Sequence, residues 1–211
     1  MSHSTKNRRM LLAAGLTWLL VVLAGTILLT AYAGSRGKEG APPNFWPASS
    51  QLRFDQRQPT LVMFVHPRCP CSRASLGELA RLMATYHERL TCHVLFLQPA
   101  GMFDDWVETD SWKTAAAIPG VLVHRDRLGT EAKYFAAQTS GDTALYNQRG
   151  GLIFHGGITI SRGHSGDSAG RNAIMALLDE QASGPASTAV FGCPLFGVEA
   201  QNQKGTQKCK P

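Results

Sequence analysis

The feature that most constrains the fold is an alternation of short apolar runs with longer amphipathic ones after residue 59. Apolar runs rich in β-branched residues predict buried strands, and apolar positions spaced three and four apart predict helices. The predicted strands cover residues 60–65, 92–97, 121–124, 143–147 and 152–155. The predicted helices cover residues 72–89, 104–117, 130–137 and 169–181. This order predicts an α/β domain with a central mixed sheet, helices on both faces and an antiparallel hairpin at one edge.

A run of 23 residues without charge lies near the amino terminus, at residues 11–33. A helix of this length reaches about 34 Å, enough to cross a hydrocarbon core of about 30 Å. Three basic residues precede the run, so we expect the amino end in the cytoplasm and the rest outside. The alternative is a cleaved signal peptide, because Ala31-Tyr32-Ala33 resembles a cleavage site. In both cases the domain reaches an oxidising compartment. We expect a single-pass protein of a bacterial inner membrane that faces the periplasm.

Composition divides the chain into five segments. Residues 1–10 form a basic cytoplasmic end, and residues 11–33 form the anchor. Residues 34–57, rich in Gly, Pro and Ser, are predicted to be a linker. Residues 58–182 form the predicted folded domain, and residues 183–211 form a tail.

The charge of the chain is concentrated at its ends. The formal net charge is +6. Three basic residues precede residue 11 and three follow residue 200, which leaves 15 basic and 15 acidic residues between them. Because the middle of the chain is neutral, we expect no nucleic-acid partner.

Two cysteines, Cys69 and Cys71, stand between the first predicted strand and the first long helix. Reactive groups of such sheets collect at the carboxyl ends of strands. A helix amino terminus carries partial positive charge and free N–H groups, and Arg68 and Arg73 add charge nearby, so the thiol pKa is expected to be lowered. Pro70 has no N–H and restrains the turn. The pattern predicts a reactive thiol pair; the alternative is that two small apolar residues merely fill space.

The apolar strand, the cysteine pair, the long helix and the later strand–turn–strand with Gly-Gly resemble the thioredoxin-like fold over residues 58–182. The stretch TLVMFVHPRCPCSRASLGEL is also similar to bacterial membrane-tethered RedB-like and redoxin-type thiol–disulfide proteins. The resemblance implies a thiol–disulfide oxidoreductase that acts on a thiol or disulfide protein partner in the periplasm. It implies that Cys69 is the exposed attacking thiol and that Cys71 is the resolving thiol.

The sequence departs from this family at two places. The usual motif is C-x-x-C, whereas the chain has C-P-C, which is one residue shorter. A family member normally has a cis-proline just before the fourth strand, whereas here Gly141 or its neighbours stand there. Glycine adopts backbone angles that other residues avoid, but it does not reproduce a cis bond. The second departure weakens the expectation of ordinary exchange with peptide substrates.

Three further cysteines lie outside the pair. Cys92 belongs to a predicted strand, and we expect it in the core. Cys193 and Cys209 lie in the tail, and a disulfide between them would contribute about 3 kcal/mol in the chain-entropy model. The alternative is that Cys193 reaches Cys69 or Cys71 and acts as a third redox thiol.

Three histidines suggest metal binding as a second possible function. His66 lies three residues before Cys69, and His155 and His164 bracket a glycine-rich loop. Two cysteines with a histidine suit a soft metal such as Cu(I). A copper-binding, metallochaperone-like module that uses Cys69, Cys71 and a histidine is therefore the alternative to an oxidoreductase that needs no cofactor. Related copper-handling proteins have a C-x-x-x-C spacing, and ordinary solvated loop histidines remain the simpler interpretation.

Overall fold

The computed structural model describes residues 2–181 and 184–197, which fall into two units. The first unit is Met1–Ser35 and contains helix α1 (Ser2–Ala33). Its segment Asn7–Ala33 has a mean hydropathy of 2.3 and is long and apolar enough to cross a membrane, a test that a signal sequence also passes. The hydroxyls of Thr17, Thr26 and Thr30 each donate to the carbonyl four residues earlier. The helix thereby satisfies these polar groups internally, as a hydrocarbon environment requires.

The second unit, which begins at Arg36, contains a six-stranded sheet with the order β3-β2-β1-β4-β5-β6. The strands are β1 (Thr60–Val65), β2 (Thr91–Gln98), β3 (Val121–Arg127), β4 (Asp142–Tyr146), β5 (Leu152–Gly156) and β6 (Ser187–Thr188). The first three are parallel, β4 runs antiparallel to β1, and β5 runs antiparallel to β4. The predicted mixed sheet is confirmed. Strand β6, parallel to β5, was not predicted because two residues carry no periodic signal.

Among the described residues of this unit, five helices accompany the sheet: α2 (Ser72–Tyr86), α3 (Asp104–Val107), α4 (Asp110–Ala116), α5 (Thr130–Tyr134) and α6 (Ala169–Leu178). The single helix predicted over residues 104–117 is wrong, because Thr109 has an extended backbone that separates α3 from α4. The Thr109 hydroxyl donates instead to the Pro67 carbonyl, 3.1 Å away. Helix α5 is shorter than predicted, since Ala136 takes a positive φ of 50° just after it.

Apolar side chains cover both faces of β1, so the strand lies at the centre of the domain. All six of its residues are buried. Leu61 and Met63 pack on one face with α2, α4 and α6, and Val62 and Phe64 pack on the other with α5. A strand buried on both faces reads as a continuous apolar run, which is the pattern of TLVMFV.

The segment predicted as a linker packs against the domain. The ring of Trp46 lies 5.1 Å from the Phe54 and Phe135 rings and 5.4 Å from that of Tyr146. The Tyr146 hydroxyl donates to the Pro43 carbonyl, 3.0 Å away. The segment is rich in Gly, Pro and Ser, but its few aromatic residues contribute much apolar area once the sheet supplies a surface.

Part of the predicted tail also packs against the domain. Val190 and Leu195 are 1% and 3% exposed, and Gly37 donates its N–H to the Val190 carbonyl. The tail segment, defined here as residues 190–196, therefore returns to the sheet and ends beside the cysteine pair.

Candidate functional site

The cysteine pair lies in the turn that joins β1 to α2. The Cys69 N–H donates to the His66 carbonyl, and the Ser72 N–H donates to the Cys69 carbonyl. Cys71 is the residue that caps the amino end of α2, with φ −69° and ψ −22°. Cys69 is 3% exposed and Cys71 is 6% exposed. The resemblance implied an exposed attacking thiol, whereas in the structure Cys69 is covered.

Cys193 of the tail segment lies against Cys69. The two Sγ atoms are 2.9 Å apart, and the Cys193 N–H donates to the Cys69 Sγ over 3.4 Å. The four cysteines within the described ranges carry free thiols. The structure thus brings Cys193 to the pair, as the third-thiol alternative predicted. Cys209 lies outside the described residues, so its pairing with Cys193 stays a prediction.

Hydrogen bonds make Cys69 the most acidic of the three neighbouring thiols. Burial raises the pKa of Cys69, but bonds from the Cys193 thiol, the Cys193 N–H, the Ser72 hydroxyl and the Cys71 N–H together lower it below its usual value. Burial and the nearby Cys69 sulfur raise the pKa of Cys193 to about 12. Burial, then the charge of Cys69, also raises the pKa of Cys71. Of these three thiols, Cys69 is therefore the one that ionises most readily.

Arg162 acts on two of these thiols, Cys71 and Cys193. Its guanidinium donates to the Gly192 carbonyl over 2.7 Å, and its charge lowers the pKa of Cys71 and Cys193 against the effect of burial. Arg68 instead lies over the Trp106 ring, 5.2 Å from its centroid.

The two arginines predicted from the motif border an open cavity. Arg68, Arg73 and Pro70 line it together with Cys69, and its volume is about 340 Å³. The cavity borders Cys69 on a side that no residue of the tail segment lines.

Opposite the cysteine turn lies the loop before β4, where a proline was expected. Gly141 has φ 94°, and its N–H donates to the Phe64 carbonyl over 2.7 Å. A side chain there would be strained, and its Cβ would lie 2.9 Å from the Ser75 Oγ. No peptide bond in the described part of the chain is cis. Glycine at this position thus lets the loop approach the end of β1 without the cis bond.

Ser140 joins this loop to the cysteine turn, and sequence reasoning missed it. Its hydroxyl accepts the His66 N–H over 2.9 Å and bonds the Ser72 hydroxyl over 2.9 Å. The Ser72 N–H in turn donates to the Cys69 carbonyl. The one signal in the sequence was that Ser140 precedes Gly141, near the position at which the family normally has a cis-proline. Ser140 therefore holds the turn that carries Cys69.

The histidines of the copper alternative are spread over different elements. The pKa of His66 is lowered by burial and then by Arg68, and its Nδ1 accepts the Arg68 N–H. His164 lies on an exposed turn, and His155 lies in β5. Within residues 2–181 and 184–197, no three His, Cys, Asp or Glu side chains form a group that suits a metal ion. Copper binding stays an untested prediction.

Comparison with known proteins identifies structural rather than sequence relatives. No family model and no curated protein match the sequence. A hypothetical protein from Sinorhizobium meliloti matches with a TM-score of 0.56 and 23% identity, over 76% of this chain and 93% of its own. An uncharacterized conserved protein from Geobacillus kaustophilus matches with a TM-score of 0.56 and 18% identity, over 77% and 92%. A putative thioredoxin from Neisseria meningitidis matches with a TM-score of 0.48 and 12% identity, over 71% and 93%.

At these identities the two stronger matches show a shared fold. The fold itself is defined by its topology. Strands β1, β2 and β3 are parallel, β4 pairs antiparallel with β1, and β5 pairs antiparallel with β4. Helices α2 and α6 pack on one face of this sheet. The cysteine pair stands at the junction of β1 and α2. The domain that begins at Arg36 has the thioredoxin-like fold.

Proposed function

We propose that the chain is a thiol–disulfide oxidoreductase in which Cys69 is the attacking thiol. The observation that carries this proposal is the surroundings of the Cys69 Sγ, which accepts the Cys193 N–H and lies 2.9 Å from a second sulfur. A buried sulfur held by hydrogen-bond donors is stabilised as the thiolate, which is the form that attacks disulfides.

The exchange needs two thiols on this chain. The Cys69 thiolate attacks one sulfur of a partner's disulfide, and the other partner sulfur leaves as a thiolate that takes up a proton. A second thiol of this chain then attacks the Cys69 Sγ and releases the first partner sulfur. The motif assigns this resolving step to Cys71. The products are a reduced partner dithiol and a disulfide on this chain, with two electrons transferred.

A redox titration tests this function. We expect mass spectrometry of the domain in glutathione buffers of graded potential to show a loss of 2 Da that includes the peptide holding Cys69. The stabilised Cys69 thiolate favours the reduced form whichever thiol completes the disulfide, and a link to Cys71, only two residues away, would also be strained. We therefore expect a midpoint above about −230 mV. A pair that stays reduced at every potential would contradict the proposal and favour Cu(I) binding by the same cysteines.

We also propose that α1 tethers the domain to the inner membrane, with the domain in the periplasm. The support is the uncharged helix that follows Arg8 and Arg9, since basic residues favour the cytoplasmic side. Protease added to sealed spheroplasts is expected to digest the domain and to spare the amino end. A cleaved leader would instead release the domain into the soluble periplasmic fraction, and full protection of the chain would contradict an outward-facing domain.

A further inference from the structure

The tail segment adds a short antiparallel strand to the loop before β4. The Ser140 N–H donates to the Cys193 carbonyl over 2.8 Å, and the Leu195 N–H donates to the Gln138 carbonyl over 2.9 Å. Thr139 and Pro194 face each other as an antiparallel bridge. Backbone pairing of this kind is the way in which an extended peptide from a partner adds to an exposed edge.

The side chains of the tail segment fit this edge in a defined register. Cys193 places its sulfur on Cys69, and Leu195, two residues later, is 3% exposed. Gly192, just before the cysteine, passes so close to the loop that a Cβ there would lie 1.9 Å from the Ser140 carbonyl oxygen. The edge therefore accepts a glycine, then a cysteine, then an apolar residue two positions on.

Access to Cys69 from this side depends on the tail segment. Cys69 is nearly covered, and its contacts with the tail are the sulfur and the N–H of Cys193. A partner cannot pair with residues 138–140 while the tail segment holds the same backbone groups. The tail and a partner thus exclude each other at this edge.

We propose that the tail segment is an internal substrate: Cys193 forms a disulfide with Cys69, and a partner enters by presenting an extended Gly-Cys-x-apolar segment in the same register. The proposal rests on the proposed function. It assigns the resolving step to Cys193 rather than to Cys71, and it states which kind of peptide the edge binds.

The chemistry balances with a partner disulfide as the oxidant. The Cys69 thiolate attacks one sulfur of that disulfide, and the other partner sulfur leaves as a thiolate. The Cys193 thiol gives its proton to this thiolate as the tail segment returns. The Cys193 sulfur then attacks the Cys69 Sγ, and the partner sulfur bound to Cys69 leaves and is protonated from water. Two electrons pass from Cys69 and Cys193 to the partner.

The first test maps the disulfide. The full chain is oxidised with glutathione disulfide, the remaining thiols are alkylated, and the disulfide-linked peptides are identified by mass spectrometry. We expect Cys69 linked to Cys193 in the parent and in Cys71→Ser, and Cys69 linked to Cys71 only in Cys193→Ser. A parent in which Cys69 links to Cys71 alone would overturn this inference and leave the proposed function standing. No disulfide at Cys69 in any variant would overturn both.

The second test probes the edge with the peptide Val-Phe-Gly-Cys-Pro-Leu-Phe, its cysteine activated as a thionitrobenzoate disulfide. Gly192→Ala should detach the tail segment and raise the rate at which Cys69 attacks the peptide by about tenfold or more. Gly197→Ala is the matched control, because nothing lies within 4 Å of its Cβ position.

A second peptide, with valine in place of glycine, separates edge recognition from simple exposure of the thiol. We expect Gly192→Ala to react with it about tenfold more slowly than with the glycine peptide, because the Ser140 carbonyl fills the Cβ position. Equal rates for the two peptides, or equal rates for the parent and Gly192→Ala, would overturn the substrate-like role of the tail. Circular dichroism confirms that the variant is folded.

Discussion

Replacing Cys69 with serine reduces thiol–disulfide exchange to the uncatalysed background. A serine hydroxyl forms no disulfide, and the hydrogen bonds from Cys193 and Ser72 that stabilise a thiolate have no comparable effect on a hydroxyl. The rate of reduction of a small aromatic disulfide by the reduced domain, followed by absorbance, measures this loss. Cys71→Ser is expected to keep the exchange, because Cys193 lies beside Cys69 and resolves the mixed disulfide.

Cys92→Ala is the matched control for this prediction. Cys92 is fully buried in the core on the α2 side, and burial raises the pKa of its thiol. Removing its sulfur lowers the free energy of unfolding by roughly 1–2 kcal/mol but leaves the exchange rate per folded molecule unchanged. If Cys92→Ala lost activity while Cys69→Ser kept it, Cys69 would not be the attacking thiol.

Replacing Glu78 with alanine lowers the free energy of unfolding by about 3–5 kcal/mol. The Glu78 side chain, on α2, is fully buried and pairs with both Arg81 and Arg171. It also accepts the Gly166 N–H over 2.8 Å. Without the carboxylate, Arg171, whose side chain is 16% exposed, loses a buried partner, and so does the Gly166 N–H. Arg81 is 57% exposed and is resolvated at little cost.

Urea unfolding followed by circular dichroism measures this change, with Glu88→Ala as the control. Glu88 is 88% exposed and its contact with His87 spans 4.0 Å, so its removal should change stability by no more than about 0.5 kcal/mol. Equal stability of the two variants would show that the buried pairs contribute nothing. Glu78 also accepts the N–H of Gly166, in the loop that carries Arg162, and Arg162 donates to the Gly192 carbonyl of the tail segment. Loss of Glu78 should therefore loosen the tail segment and expose the Cys69 thiol to alkylation.

Local patterns in the sequence were enough to predict most of the framework. The run TLVMFV reads as a strand buried on both faces because each of its residues is apolar, and the structure confirms β1 at the centre of the sheet. The spacing of apolar residues after Cys71 predicts α2 in the same way. Since a thiol pair between such a strand and helix lies at the carboxyl edge of the sheet, the position of Cys69 also followed from sequence alone.

What only the tertiary structure decided is which distant segments complete the site. Cys193 lies 124 residues from Cys69 along the chain, and no periodicity encodes a contact between their sulfurs. Residues 34–57 were predicted as a linker because composition does not reveal that the Trp46 ring packs against Tyr146 of the sheet. Arg162 lowers the pKa of Cys71 and Cys193 although it lies about 90 residues from the motif, because the fold sets the distances between charges. Long-range contacts depend on the packing of the whole domain, whereas strands and helices depend largely on neighbouring residues.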